Sequence, residues 1–211
     1  MTEPETSYQP DLVSARADRL VILSGCSGGG KSSLLAELGR RGWPVWEEPG
    51  RQIVREQLFI GGDALPWSDA GKFVELTISR SIHNLVMAAR AGGRAFFDRG
   101  IVDQVSGLEQ LNRPIPAPLA AAAERFRCHD TVFMMPPWPE IFRNDAERRH
   151  NFEDAAASYS GLLGSYVRFG YRLVEVPRLE IGARADFVLD SLAETDRRKA
   201  PIPAADCRSC G

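Results

Sequence analysis

The chain has 211 residues, 44% of them hydrophobic and 26% charged, with a net charge of −2 and a sequence pI near 6.0. That size and balance describe one globular domain; they exclude a disordered or fibrous protein, and also a general nucleic-acid binder, which would carry a strong basic excess. No apolar run reaches the length of about 18 residues that a membrane crossing needs, the polar, acidic start Met1-Thr2-Glu3-Pro4-Glu5-Thr6 is unlike a secretory signal, and the four cysteines are not spread as a disulfide framework, so a cytoplasmic protein with reduced thiols is expected.

Residues 1–18 contain Pro4 and Pro10 and follow neither a strand nor a helix period; they read as a poorly ordered lead-in. Leu20-Val21-Ile22-Leu23 is an apolar run suited to a buried parallel strand, and a helix is predicted from about Lys31 to Arg41, closed by Gly42. Trp43 to Glu48 reads as a second strand running into Pro49-Gly50, followed by a helix over 52–60. Ser68 is a suitable N-cap for a long helix to Ala91, whose stripe of Val74, Ile78, Ile82, Leu85, Val86 and Ala89 faces inward. Arg94 to Asp98 is the third strand and residues 101–127 are helical with a break at 113–118. Thr131 to Met135 is the fourth strand, stopped by Pro136-Pro137. A charged stretch, a helix to about Phe169, a strand from Tyr171 to Val176 and a helix from Ile181 to Glu194 complete the pattern. Five short strands alternating with helices predict a parallel α/β sheet over 19–194, with residues 195–211 as a flexible tail.

Between the first strand and its helix lies Gly25-Cys26-Ser27-Gly28-Gly29-Gly30-Lys31-Ser32, which satisfies G-x-x-x-x-G-K-[ST]. Glycines in such a loop let successive N–H groups turn toward one phosphate chain, and the following helix adds its positive end. The expected cradle is Gly25, Ser27, Gly28, Gly29, Gly30, Lys31, Ser32 and Ser33, with Lys31 on the β- and γ-phosphates and the Ser32 hydroxyl on Mg²⁺. Only three of the 26 basic residues are lysines, and one of them fills the slot the motif requires. In open α/β sheets the ligand sits beyond the carboxyl ends of the strands, which singles out Glu47/Glu48, Asp98-Arg99 and the charged segment after strand four. The terminal Cys207-Arg208-Ser209-Cys210 lacks the second pair that zinc needs and reads as tail.

Asp98-Arg99-Gly100 resembles the Asp/Glu-Arg motif of deoxynucleoside kinases, Glu48-Pro49 resembles the Glu-Pro that closes their second strand, and Arg143 to Arg149 looks like the arginine-bearing lid of nucleoside and nucleotide kinases. Taken together over about residues 19–190, these motifs are similar to a family of bacterial AAA-domain predicted ATPases related to ribosylnicotinamide kinase. The resemblance implies a nucleotide-kinase-like P-loop fold in which Glu48 is the general base, with Glu47 as the adjacent alternative, and Asp98 binds Mg²⁺. Arg143 and Arg148 would stabilise the transferring phosphoryl group, and Arg51, Arg80 and Arg99 could line the acceptor side. Trp43, Trp46 and Trp67 are expected in packing roles, with Trp138 at the edge of the nucleotide site.

The expected protein is therefore an ATP- and Mg²⁺-dependent kinase for a small hydroxyl-bearing metabolite, nucleoside-like or phosphorylated. The alternative is an ATPase or nucleotide-controlled switch acting on a protein partner. No nucleic acid or membrane partner is expected, and an oligomer is left open.

Overall fold

Leu20–Gly25 (β1) is buried along its whole length, as the central strand of a parallel sheet must be. It pairs in parallel with Ala95–Asp98 (β3) on one side and Thr131–Met135 (β4) on the other, while Val45–Trp46 (β2) and Arg172–Glu175 (β5) form the edges, giving the order β2-β3-β1-β4-β5. The computed structural model describes residues 8–142 and 151–199.

Alternation along each strand divides the core. Leu20, Ile22, Phe97, Val132 and Met134 face one layer, and Val21, Leu23, Phe96, Phe133 and Met135 face the other. The second layer is closed by Lys31–Arg40 (α2) and Ile181–Lys199 (α8), through Leu34, Leu35, Leu38, Ala185, Val188 and Leu192. The first is closed by Ala70–Ala91 (α4), Ile101–Gln110 (α5) and Phe152–Arg168 (α7), with Pro49–Ile60 (α3) and Ala117–Arg125 (α6) outside them. Each large apolar side chain so buried stabilises the fold by about 1.5–3 kcal/mol, which is why the strands need no regularity beyond burial on both faces.

Several local details differ from the sequence reading. The second strand is only Val45–Trp46, and Pro49-Gly50, read as a breaker, open α3 instead, since proline is tolerated at the first helical position. The lead-in forms a short helix, Leu12–Ala15 (α1), because Val13 finds a fully buried place in the first layer. The long helix is capped by Asp69 rather than Ser68, the Asp69 carboxylate accepting from the Lys72 N–H at 3.1 Å. The last helix runs five residues past Glu194, since no breaker precedes Pro201. Among the described residues no helix is long and apolar enough to cross a membrane.

Cys128, in the turn before β4, carries a consequence for alkaline stability. Burial pushes its thiol from an ordinary 9.0 up to about 12, and Tyr171, whose hydroxyl accepts from the Cys128 N–H, is likewise pushed by burial to about 12. The neutral thiol's contribution is fully present below pH 9 and is lost as pH rises toward 12, on the order of 4 kcal/mol from Cys128 alone. Melting temperature followed from pH 8 to 11 should fall steeply, and Cys128→Ala should flatten the decline.

Candidate nucleotide-binding site

At the carboxyl end of β1 the chain turns with Gly25 at φ 119°, where an added Cβ would lie 2.3 Å from the Met135 carbonyl oxygen; only glycine fits between the central strand and β4. The Cys26 N–H then donates to that same Met135 oxygen at 2.9 Å, and the loop enters α2 through Gly30 in the left-handed region, φ 80°. A Cβ on Gly30 would meet Arg184 Nη1 at 2.6 Å.

Arg184, on the first turn of α8, is buried. It donates through Nη2 to the Gly29 carbonyl at 3.1 Å, bracing the outside of the glycine loop, and its guanidinium lies 5.6 Å from the Trp138 ring. Burial lowers its pKa.

Lys31 is 6% exposed and donates from Nζ to the carbonyls of Gly25, at 3.0 Å, and Cys26, at 2.8 Å. Burial, with Arg99 adding repulsion, lowers its pKa from 10.5 to about 8 against the pull of Asp98, Glu48 and Asp103. At neutral pH it is still an ammonium, stripped of water and held by two neutral oxygens that a phosphate would replace to advantage.

The β1–β3 register sets Asp98 opposite Leu23, so its carboxylate reaches the start of α2, where Ser32 Oγ donates to Oδ2 at 3.2 Å. Asp98 Oδ1 is buried with no hydrogen-bond partner among the described residues, and burial raises the pKa of the group despite nearby Lys31. An orphaned carboxylate oxygen beside a serine hydroxyl at the mouth of a phosphate loop suits a divalent cation with oxygen ligands.

Arg99 follows in a left-handed backbone conformation, φ 72°, held by its N–H to the Leu23 carbonyl at 2.9 Å. Its side chain bridges two carboxylates, Nε donating to Glu48 Oε1 at 2.9 Å and Nη1 to Asp103 Oδ1 at 3.0 Å. Arg51 Nε reaches the other Glu48 oxygen at 3.2 Å. Burial pushes the Glu48 carboxyl up, but Arg99, Lys31 and Arg51 outweigh it and the pKa falls below 4.5. Asp103 is fixed in turn by the Ser24 hydroxyl at 2.6 Å, the Gly100 N–H at 2.8 Å and the Tyr166 hydroxyl.

Two cavities meet at this network. The first, about 600 Å³, runs from Gly28, Lys31 and Ser32 past Asp98 to an apolar end at Trp138 and Ile181. The second, about 340 Å³, is bounded by Arg99, Gln104, Phe73 and Trp67. Glu48 and Arg51 line both.

Most of the sequence candidates thus converge: the loop residues, Lys31, Ser32, Glu48, Arg51, Asp98 and Arg99. Arg80 does not. It lines neither cavity and is held across α3 and α4 by Glu56, at 3.0 Å, and Gln52, at 3.1 Å, because its place on α4 points it along the α3 surface. Glu47 lies next to a separate small cavity. Arg143 and Arg148, with the rest of the proposed arginine lid, lie outside the described residues, as do Cys207 and Cys210. Trp67, expected in a packing role, is 58% exposed and walls the second cavity.

Asp103, Gln104, Tyr166 and Arg184 were missed. Asp103 and Gln104 could have been found, since a helix starting just after Arg99 returns its first turn to the strand end; nothing in the sequence marks Tyr166 or Arg184.

A central buried strand, a glycine loop leading from it into a helix and an all-parallel sheet define a nucleoside-triphosphate-binding P-loop fold. The profile of the AAA domain family matches residues 20–184, and the chain belongs to that family. Among solved structures it is similar to the NadR protein in complex with NR, at 20% identity and a TM-score of 0.60, covering 89% of this chain and 54% of that one, so that it spans about half of that protein's length. It is also similar to thymidylate kinase from Ehrlichia chaffeensis, at 12% identity and a TM-score of 0.56, covering 84% of this chain and 99% of that one. At these identities the likeness is one of fold. No curated protein matches the chain.

Proposed function

We propose that the protein is a kinase that transfers the γ-phosphate of ATP to the hydroxyl of a small molecule. The single observation that carries this reading is that one ionised carboxylate, Glu48, borders both the phosphate-loop cavity and a second, separate cavity. A hydrolase needs only the first of these. A transferase needs an acceptor site joined to the nucleotide site by a group that can take the acceptor's proton.

In this reading the triphosphate lies along the loop, with its β- and γ-oxygens taking over the Lys31 ammonium from the Gly25 and Cys26 carbonyls. Ser32 and Asp98 would hold Mg²⁺, which when bound supplies positive charge to the phosphate oxygens. Glu48, held by Arg99 and Arg51, receives the proton of the attacking hydroxyl, and Asp103 keeps Arg99 in place. The thymidylate kinase among the fold relatives supports the direction of this assignment, and a cytoplasmic setting suits it.

The test is transfer from γ-labelled ATP with Mg²⁺ to a pooled panel of hydroxyl compounds. A labelled organic product supports the kinase reading; free phosphate as the only product, at a rate the panel does not change, overturns it in favour of an ATPase or switch. Lys31→Ala should lower transfer by roughly 10²–10³-fold, the loss typical of one preorganised electrostatic donor, read from steady-state rates at saturating ATP.

A further inference from the structure

Arg184 differs from the other arginines at the site in lacking an anion. Arg99 faces Glu48 and Asp103, and Arg51 faces Glu48. Arg184 is 3% exposed, yet no carboxylate among the described residues pairs with it. Its guanidinium donates from Nη2 to the neutral Gly29 carbonyl, has the Trp138 ring 5.6 Å away, and leaves Nε buried without a partner. Burial lowers its pKa and no neighbouring charge pulls the other way. A guanidinium stays protonated even where burial disfavours it, so the interior holds an ion without a counter-ion, which costs folding free energy.

The position of Arg184 shows what this charge acts on. Arg184 lines the same cavity of about 600 Å³ as Gly28, Gly30, Lys31 and Ser32, and an added Cβ on Gly30 would lie 2.6 Å from its Nη1. The guanidinium therefore sits against the peptide that joins Gly29 to Gly30. That peptide is trans, so a carbonyl held toward Arg184 turns the Gly30 N–H to the opposite side. Cation and peptide dipole then point their positive ends the same way, and each strengthens the other.

We infer that Arg184 is a positioning residue for the phosphate chain of the nucleotide: it fixes the Gly29–Gly30 peptide and holds in reserve a charge that only a bound diphosphate or triphosphate neutralises. The inference needs a nucleotide in the first cavity but not the transfer step of the kinase reading. It also gives two expectations of opposite sign, since neutralising Arg184 weakens phosphate binding without weakening the empty protein.

The experiment measures both. The full chain and its Arg184→Met and Arg184→Lys variants are titrated calorimetrically with ADP and with pyrophosphate, each with Mg²⁺, and the melting temperature of each protein is read without ligand. Arg184→Met should weaken ADP and pyrophosphate by the same factor, about tenfold or more, the loss expected when a charged hydrogen-bond donor is removed. Its unliganded melting temperature should stay at or above that of the wild type, because an apolar side chain replaces an unpaired buried ion. Arg184→Lys, which keeps the charge, should recover most of the affinity. Pyrophosphate that fails to bind the wild type, or binds the methionine variant equally well, overturns the inference. So does a lysine variant no better than the methionine one, or a lower unliganded melting temperature in Arg184→Met, which would make the residue an ordinary structural brace. A protein that shows all the expected binding yet transfers no phosphate leaves the inference standing and removes the kinase reading.

Discussion

Glu48→Gln should slow phosphate transfer by roughly 10²–10⁴-fold, the range spanned by a positioned general base, while ATP affinity stays within about twofold. The substitution keeps the shape of the side chain and one oxygen for Arg99, but an amide cannot accept the hydroxyl proton. It also sets an N–H₂ group or its oxygen against Arg51, and the cost of that exchange is small because Arg51 is 29% exposed and water can intervene. The pH profile separates the base from a merely structural carboxylate. Because Arg99, Lys31 and Arg51 hold the Glu48 pKa below its ordinary 4.5, protonation of Glu48 contributes an acid limb only below about 4.5, and the variant should lose that contribution; the raised pKa of Asp98 adds a separate acid limb that both proteins keep. A rate unaffected by the substitution, or an acid profile identical in the two proteins, sinks the assignment.

Arg99→Ala should cost about 3 kcal/mol of unfolding free energy, among the largest effects of any single change outside the core, because it strands the Asp103 carboxylate, whose side chain is 1% exposed, with no cation beside it. The Ser24, Gly100 and Tyr166 donors remain and keep the loss at the low end for a broken buried pair. Arg99→Gly isolates the backbone share. At φ 72° a glycine escapes the left-handed penalty that alanine retains, so the glycine variant should be about 1 kcal/mol more stable than the alanine one in urea melts at pH 7. Equal losses would mean that the turn adds no strain.

The parts of this protein legible in its sequence are those where one local signal suffices. The strand Leu20–Gly25, the glycine loop, the helix to Arg40 and the strand Thr131–Met135 each follow from a run of apolar residues bounded by a breaker. So did Glu48, Asp98 and Arg99, since parallel topology brings the ends of β2 and β3 beside the loop. What stayed hidden depends on pairs far apart in the chain: Tyr166 donates to Asp103 across 63 positions, and Arg184 reaches Gly29 across 155. Arg80 failed for the converse reason. Its position along the chain lies near the site, but rotation about α4 turns its side chain to Glu56.

The clasp of Arg184 on Gly29 has a consequence for the order in which the protein becomes competent. On a ribosome the glycine loop emerges among the first 32 residues, yet its inner contact, Cys26 to Met135, and its outer one, Gly29 to Arg184, are supplied by segments synthesised long afterwards. A nascent chain stopped between residues 135 and 184 carries the whole phosphate-binding signature but only the inner of the two contacts that hold it in shape. The outer brace of the loop thus arrives only with α8, so that a bound nucleotide would stabilise chains that have made it over the partly made ones beside them.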